Sequence, residues 1–173
     1  RTSVTPVMNT YIGGATIVVA GNLTVETLHN VTGGHAKTLA HASGGGILVG
    51  VNGADADAMV KPTINTYIGG ADLDMDVTGT ATIRSESTHD SRADGLGITI
   101  GGVVGVGGMT ADAESSGSIN TYAKNGTKLT VGYLTIETEV KDKAKAYSLS
   151  GVGSVGVAVG TAAATATNNS TVN

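Results

Sequence analysis

The feature that most constrains the fold of this chain is a phrase that occurs three times at nearly constant spacing. Residues 9–15 read Asn-Thr-Tyr-Ile-Gly-Gly-Ala, and residues 65–71 repeat these seven letters. A shorter copy, Asn-Thr-Tyr-Ala, begins at Asn120. The copies start 56 and 55 residues apart (65 − 9 and 120 − 65). Because a fixed period marks repeat architectures, the chain is expected to be an array of one structural unit.

The remainder of each unit recurs as well. A strand-like run begins at Leu23, Ala81 and Leu134, and it is followed by a polar stretch, a Gly/Val passage and an Ala-rich tail. The repeats therefore span 9–64, 65–119 and 120–172 of a single domain, 1–173. The repeat signature comprises Asn9, Tyr11, Asn65, Tyr67, Asn120 and Tyr122. The chain opens in the tail of one unit and stops at the threshold of another, so we expect the array to continue or subunits to stack end to end.

Alternation within the strand-like runs predicts β-strands. In residues 134–138 the apolar Leu134 and Ile136 alternate with polar residues, which places one face of the strand inward. Leu23 with Val25, and Ala81 with Ile83, follow the same pattern. The chain has 27 Gly and many β-branched residues, and both disfavour helix. It has no Phe or Trp, which suits a thin interior rather than a bulky globular core.

These patterns predict an all-β fold, a parallel β-helix or β-solenoid with about three coils per 55-residue repeat. Each coil would hold about 18 residues, and some nine coils at about 4.8 Å would form a rod about 45 Å long. A β-sandwich is the competing fold, but it gives no reason for a 55-residue repeat.

The units resemble the repeats of large bacterial surface adhesins and leukotoxin-like exoproteins of the filamentous-haemagglutinin type. The resemblance lies in the Asn-Thr-Tyr-Ile-Gly-Gly-Ala entry, the Leu-Thr-Ile-Glu-Thr strand at 134–138 and the Gly/Val passages before Ala-rich tails. It implies a right-handed parallel β-helix, export to the cell surface, and a role in attachment or fibre building. The resemblance assigns no catalytic residue in this chain.

Composition argues against several classes of partner. The net charge is −4, charged residues make up 14%, and no basic block is present to neutralise nucleic-acid phosphates. No apolar run is long enough to span a membrane. The absence of Cys rules out disulfides and thiolate metal sites. No cofactor is expected.

Alternating acids suggest a calcium site. Asp72, Asp74 and Asp76 would share one strand face, and Asp55 with Asp57 forms a smaller pair. The alternative is a solvated strand face, which the absence of a Gly-rich calcium-binding nonapeptide favours.

The histidines raise two further hypotheses. His29, His35 and His41 lie six residues apart in the first repeat and suggest zinc, although surface loops explain them as well. His89 with Asp90 and Asp94 suggests a polysaccharide-cleaving site, but near-equal repeats leave little chain to build a groove. The chain is not expected to be an enzyme.

The Gly/Val passages allow two interpretations. Glycine at alternate positions bares one face of the strand, which lets a second rod approach closely. Alternatively, the bare face lines an interior too narrow for side chains. Five Asn lie in glycosylation sequons: Asn22, Asn30, Asn125, Asn168 and Asn169.

The resulting prediction is a structural segment of an extracellular fibrous adhesin or surface filament, giving reach and a repetitive surface. Its partners would be further repeats or copies of the same chain, and a glycan or protein of a cell surface. The alternative is a glycan- or ice-binding module that uses threonine pairs such as Thr80/Thr82 or Thr165/Thr167.

Overall fold

A computed structural model describes residues 1–14, 16–30 and 32–173 as β-strands joined by short turns. Ala15, which ends the first signature copy, lies outside the described residues. The strands are β1 Thr2–Val4, β2 Val7–Ile12, β3 Thr16–Val19, β4 Leu23–His29, β5 Ala36–Gly46, β6 Val49–Val60, β7 Thr63–Ile68, β8 Asp74–Gly101, β9 Val104–Ser115, β10 Ser118–Ala123, β11 Lys128–Ser154, β12 Val157–Asn168 and β13 Thr171–Val172. Over these ranges there is no helix of the length and hydropathy needed to cross a membrane.

The strands form three parallel sheets in which each strand pairs with its counterpart in the next repeat. The first sheet has the order β1-β6-β9-β12, and the second has the order β2-β7-β10-β13. In the third sheet β8 lies between β11 on one side and β3, β4 and β5 on the other. The fold is therefore all-β with parallel pairing, as the sequence predicts.

The size of the repeating coil differs from the prediction. Asn65 hydrogen-bonds Asn9 across 56 residues, and Asn173 hydrogen-bonds Asn120 across 53 residues. Strand neighbours are thus a whole repeat apart, and the predicted coil of about 18 residues is wrong. Each repeat forms one wide layer, and three layers at about 4.8 Å are about 14 Å deep instead of 45 Å. We call them the first (β2–β6), second (β7–β9) and third (β10–β12) layers.

Each layer folds back on itself through a two-residue turn. The turns lie at residues 47–48, 102–103 and 155–156. The two limbs on either side do not pair as antiparallel strands within the described chain, because every ladder there joins different layers. They face each other through side chains instead: the Thr38 hydroxyl donates to the Asp57 carbonyl at 2.6 Å. This arrangement explains why one repeat needs about 55 residues.

The interior narrows from one end of the layer to the other. Its wide end holds an apolar cluster: Val25, Ile68, Leu73, Met75, Val77, Ala81 and Ile83. Next along the limbs comes an alanine cluster: Ala56, Ala58, Ala93, Ala111 and Ala113. Near the turn the inward positions of the first two layers are mostly glycine: a Cβ on Gly50 would lie 2.6 Å from the Ile100 carbonyl oxygen, and one on Gly105 would lie 2.9 Å from that of Gly153. The third layer has Ser154 and Ala158 at the corresponding positions. In the passage at residues 101–108 the glycines Gly101, Gly105 and Gly107 therefore line the interior. In the third layer Gly151 and Gly153 lie on the outer face instead, because they pair with the exposed Ile98 and Ile100.

The predicted alternation is confirmed in the strand-like runs. Ala81 and Ile83 are fully buried, and Val25 is nearly so. Their counterparts Leu134 and Ile136 are 43% and 45% exposed, because no further layer covers the third one. Burial in this fold thus depends on the layers above and below as much as on the strand face.

Candidate functional site

The signature residues form columns that run across the layers. The Tyr67 ring stacks on the rings of Tyr11 and Tyr122, with centroids 5.1 Å away on each side. The side-chain amides form a second column, in which each Asn donates its Nδ2 hydrogen to the Oδ1 of the preceding layer. This ladder runs Asn173 to Asn120 at 3.0 Å, Asn120 to Asn65 at 2.8 Å, and Asn65 to Asn9 at 2.8 Å. The signature thus specifies the stacking of one repeat on the next.

Charged columns also match between layers. Arg84 of the second layer lies between Glu26 of the first, at 2.7 Å, and Glu137 of the third, at 3.8 Å. Hydrogen bonding to Glu26 raises the pKa of the exposed Arg84 guanidinium. Such pairs contribute little energy individually, but they specify which layer lies next to which.

The structure separates the predicted calcium residues. Asp74 and Asp76 lie on the outer face of β8, where Asp74 pairs with Lys128 at 2.7 Å, whereas Asp72 lies in the preceding turn. The predicted smaller pair, Asp55 and Asp57, does lie together on the outer face of the first sheet, and Asp112 of the next layer joins it; the carboxylate oxygens of the three residues lie within 4.8 Å of one another. Asp55 accepts a hydrogen bond from the Thr110 hydroxyl. Nothing beyond the grouping of these acids points to a bound cation.

The histidine side chains are not grouped as the zinc hypothesis requires. His35 and His41 are exposed, while His29 contacts His89 of the next layer edge to face, with ring centroids 5.9 Å apart. The Ser87 hydroxyl joins them, at 2.9 Å from His29 Nδ1 and 2.6 Å from His89 Nε2. On the other side of the His89 ring, Nδ1 lies 2.7 Å from Asp142 Oδ1. The three layers thus share a buried polar cluster.

The order Ser87, His89, Asp142 is that of a hydrolase triad, but its location prevents that use. Ser87 and His89 are completely buried. The nearest cavity, about 310 Å³, is lined by His29 and not by Ser87. The suggested grouping of His89 with Asp90 and Asp94 is wrong, because strand alternation turns both carboxylates to the outer face. The cluster is therefore structural.

Burial sets the protonation of this cluster. Desolvation lowers the pKa of His29. It also lowers the pKa of His89, an effect that the neighbouring His29 reinforces and Asp142 opposes. Both imidazoles are thus favoured in the neutral form, in which one ring nitrogen can accept the Ser87 hydrogen bond.

The sequon asparagines fall into two groups. Asn22, Asn125, Asn168 and Asn169 are exposed, so a glycan at any of them would extend into solvent. Asn30 differs from these four residues in that its side-chain Nδ2, the atom to which a glycan would be attached, donates hydrogen bonds to the Gly34 and Thr88 carbonyls at 2.6 and 3.1 Å.

An apolar surface lies at the turn end of the layers, which we call the blade (residues 43–53, 98–108 and 151–161). It contains no charged residue and no histidine. In the second layer, and on both sides of it in the first sheet, small residues occupy the inward positions, so alternation places the large apolar residues outside. In β11 the order is reversed, with Val152 inward and Gly151 and Gly153 outward. The exposed large apolar residues of the blade are Ile47, Leu48, Val49, Val51, Ile98, Ile100, Val103, Val106, Val155, Val157 and Val159. Ile47 and Val155 at the turns are 92% and 94% exposed. Soluble proteins rarely leave so large an apolar patch without a partner.

One face of the blade is a regular lattice. On the outer face of the first sheet, two valine columns run through all three layers: Val49, Val104 and Val157, then Val51, Val106 and Val159. The next outward column consists of Gly53, Gly108 and Thr161. We call the six valines the valine lattice, and we call the column of Gly53, Gly108 and Thr161 the trough. The opposite face is irregular, because Ile98 and Ile100 stack against glycine and serine.

Of the four threonines proposed for ligand binding, only Thr82 lies in a column of threonines that runs through all three layers. Thr82 lies in a threonine column with Thr24 and Thr135. Thr165 and Thr167 stack instead on Asp112 and Glu114.

The exposed valine face of the blade could have been predicted from the order of residues in the sequence. Where an uncharged strand has glycine at alternate positions and the glycine face is buried, the valine face must be exposed.

No protein-family model, curated protein or solved structure matches this chain.

Proposed function

We propose that the chain is a structural β-solenoid segment of an extracellular fibrous surface protein, in which each 55-residue repeat adds one layer. The observation that carries the proposal is the in-register pairing of whole repeats, expressed in the asparagine and tyrosine columns. Parallel stacking of this kind extends a structure along one axis. A right-handed coil and a location at the cell surface rest on the resemblance of the repeats to bacterial adhesins.

The distribution of polar chemistry supports a structural role. Hydroxyls that face inward form a chain of hydrogen bonds across the layers, each 2.6–2.8 Å long: Thr138 to Thr121, Thr121 to Ser85, Ser85 to Thr66, and Thr66 to Thr27. Buried hydroxyls satisfied in this way stabilise one register of stacking, since any slip would leave them unpaired.

Arrays of different length test the proposal. We expect four joined copies of residues 9–172 to form a particle of about twelve layers, about 58 Å along the stack against about 14 Å for one copy. Small-angle scattering or electron microscopy measures this dimension. Growth in all three dimensions, or growth along the stack by about 43 Å per added copy instead of about 14 Å, would contradict a rod of one layer per repeat.

A further inference from the structure

The outer face of the third sheet carries a column of like charges. Lys37, Arg92 and Lys145 occupy paired positions in the three layers, and all three residues are exposed. Like charges directly opposite each other destabilise a strand pair. Asp94 compensates part of the column, since it lies 3.7 Å from Lys37 Nζ and 2.8 Å from Arg92 Nε. Among the described residues no carboxylate pairs with Lys145, so the third-layer end of the column remains without a counter-ion.

A second pair of like charges in this sheet shows what a compensated contact looks like. Glu86 and Glu139 are also paired neighbours in adjacent layers. Lys141 lies beside both of them, with its Nζ 3.4 Å from the Glu86 carboxylate and 2.7 Å from that of Glu139. An anion bound from solvent would do for Lys145 what Lys141 does for the two glutamates.

A cavity opens at the basic column. It measures about 180 Å³ and is lined by His35, Asp90, Arg92 and Lys145, so all three layers contribute to it. It adjoins the cavity of about 310 Å³ beside His29, because His35 and Asp90 line both. Together the two cavities reach the size of ordinary ligand pockets, about 300–1,000 Å³.

The Arg92 guanidinium is oriented for a planar anion. Its Nε donates to the two carboxylate oxygens of Asp94, at 3.0 and 2.8 Å, which fixes the plane of the group. Within the part of the chain that the structure describes, its Nη1 and Nη2 atoms donate no hydrogen bond. A carboxylate accepts two parallel hydrogen bonds from such a pair of nitrogens. The Lys145 ammonium group lines the same cavity and adds a second positive charge.

The carboxylate of Asp90 favours a sugar over a plain anion. Asp90 lines both cavities, and no cation of the described chain pairs with it. It would repel a second carboxylate at close range, but it accepts hydrogen bonds from hydroxyl groups. We propose that this cavity binds a sugar acid, whose carboxylate lies on Arg92 and Lys145 and whose hydroxyl groups donate to Asp90. The inference adds a ligand class to the proposed extracellular segment and rests on its three-layer stacking.

NMR titration with three short probes tests the ligand class. Trigalacturonate is expected to bind. Maltotriose lacks the carboxylates and triglutamate lacks the sugar hydroxyls, so both are expected to bind at least about tenfold more weakly. The proposal is overturned if trigalacturonate does not bind, or if either of the other two probes binds as tightly.

Two lysine variants locate the site, each compared at equal layer structure by circular dichroism. Lys145→Gln is expected to weaken trigalacturonate binding about tenfold, because a charged hydrogen bond is lost. Lys128→Gln removes the same charge from an exposed position at the other end of β11, and screening by salt is expected to leave binding unchanged. Equal effects of the two variants would overturn the proposed location.

The variant Asp90→Ala separates recognition of a sugar from general attraction of anions. It removes the hydrogen-bond acceptor and at the same time makes the face more positive. Weaker binding of trigalacturonate is therefore expected, and tighter binding would overturn the proposal. None of these results affects the proposed layered rod, whose dimensions are measured separately on joined copies.

Discussion

Replacing Gly101 with alanine is expected to lower the free energy of unfolding by about 3 kcal/mol. A Cβ at this position would overlap the carbonyl oxygen of Val104 across the turn of the second layer. The neighbouring layers hold the turn from both sides, because Gly101 pairs with Gly46 and Ser154. The backbone therefore has to open the turn of the second layer between its two neighbours, of which the third layer already carries the Cβ of Ser154. Urea unfolding followed by circular dichroism measures the loss.

Gly153 provides the matched control for Gly101. It lies in the same passage of the third layer, and a Cβ there meets no atom within 4 Å. Gly153→Ala is expected to change the free energy of unfolding by less than about 1 kcal/mol, with any gain arising from the restricted unfolded chain. Equal losses in the two variants would mean that the limbs do not approach as closely as the structure shows.

Acid is expected to destabilise the layers through the buried histidines. Their pKa values are lowered in the folded chain by desolvation, so the unfolded chain binds more protons as the pH falls. The contribution of His29 and His89 is fully present above the unfolded pKa of about 6.5 and is lost as the pH falls through it toward the lowered folded value. Thermal unfolding between pH 8 and pH 5 measures this loss.

Histidine variants identify the groups responsible. His29→Gln with His89→Gln is expected to flatten the pH dependence between pH 8 and pH 5, even if the variant is less stable throughout. His35→Gln with His41→Gln changes two exposed histidines and is expected to retain the dependence. The hypothesis fails if the first pair of substitutions leaves the slope unchanged.

Local patterns predicted the local structure of this chain. The alternation at Ala81 and Ile83 fixed which strand face is buried, because side-chain direction in a strand depends only on the sequence period. The repeat signature predicted which residues are equivalent, and these residues do stack. Alternation alone does not decide which face of a Gly/Val passage is buried, since burial of the glycine face depends on the opposite limb.

These local patterns do not predict which distant residues pair with each other. A 55-residue period is compatible with three short coils or one folded layer, and only the contacts across the turns distinguish them. The approach of His89 to Asp142 follows from the register of β8 and β11, which offsets the two residues by 53 positions. Asp90 and Asp94 are closer in sequence but lie on the other face. Sequence proximity was therefore the wrong guide to this cluster.

The stacking of one whole repeat on the next can be measured directly by cross-linking, because the chain has no cysteine. Thr24 and Thr82 are paired neighbours on the outer face of adjacent layers, and adjacent strands have the Cα separation that a disulfide requires. The variant Thr24→Cys with Thr82→Cys is expected to form an intramolecular disulfide under mild oxidation, detected by mass spectrometry after digestion. Thr24→Cys with Ala42→Cys, spaced for an 18-residue coil, is expected to remain reduced. The opposite result, with a bond between positions 24 and 42 and none between 24 and 82, would show that each repeat winds into short coils.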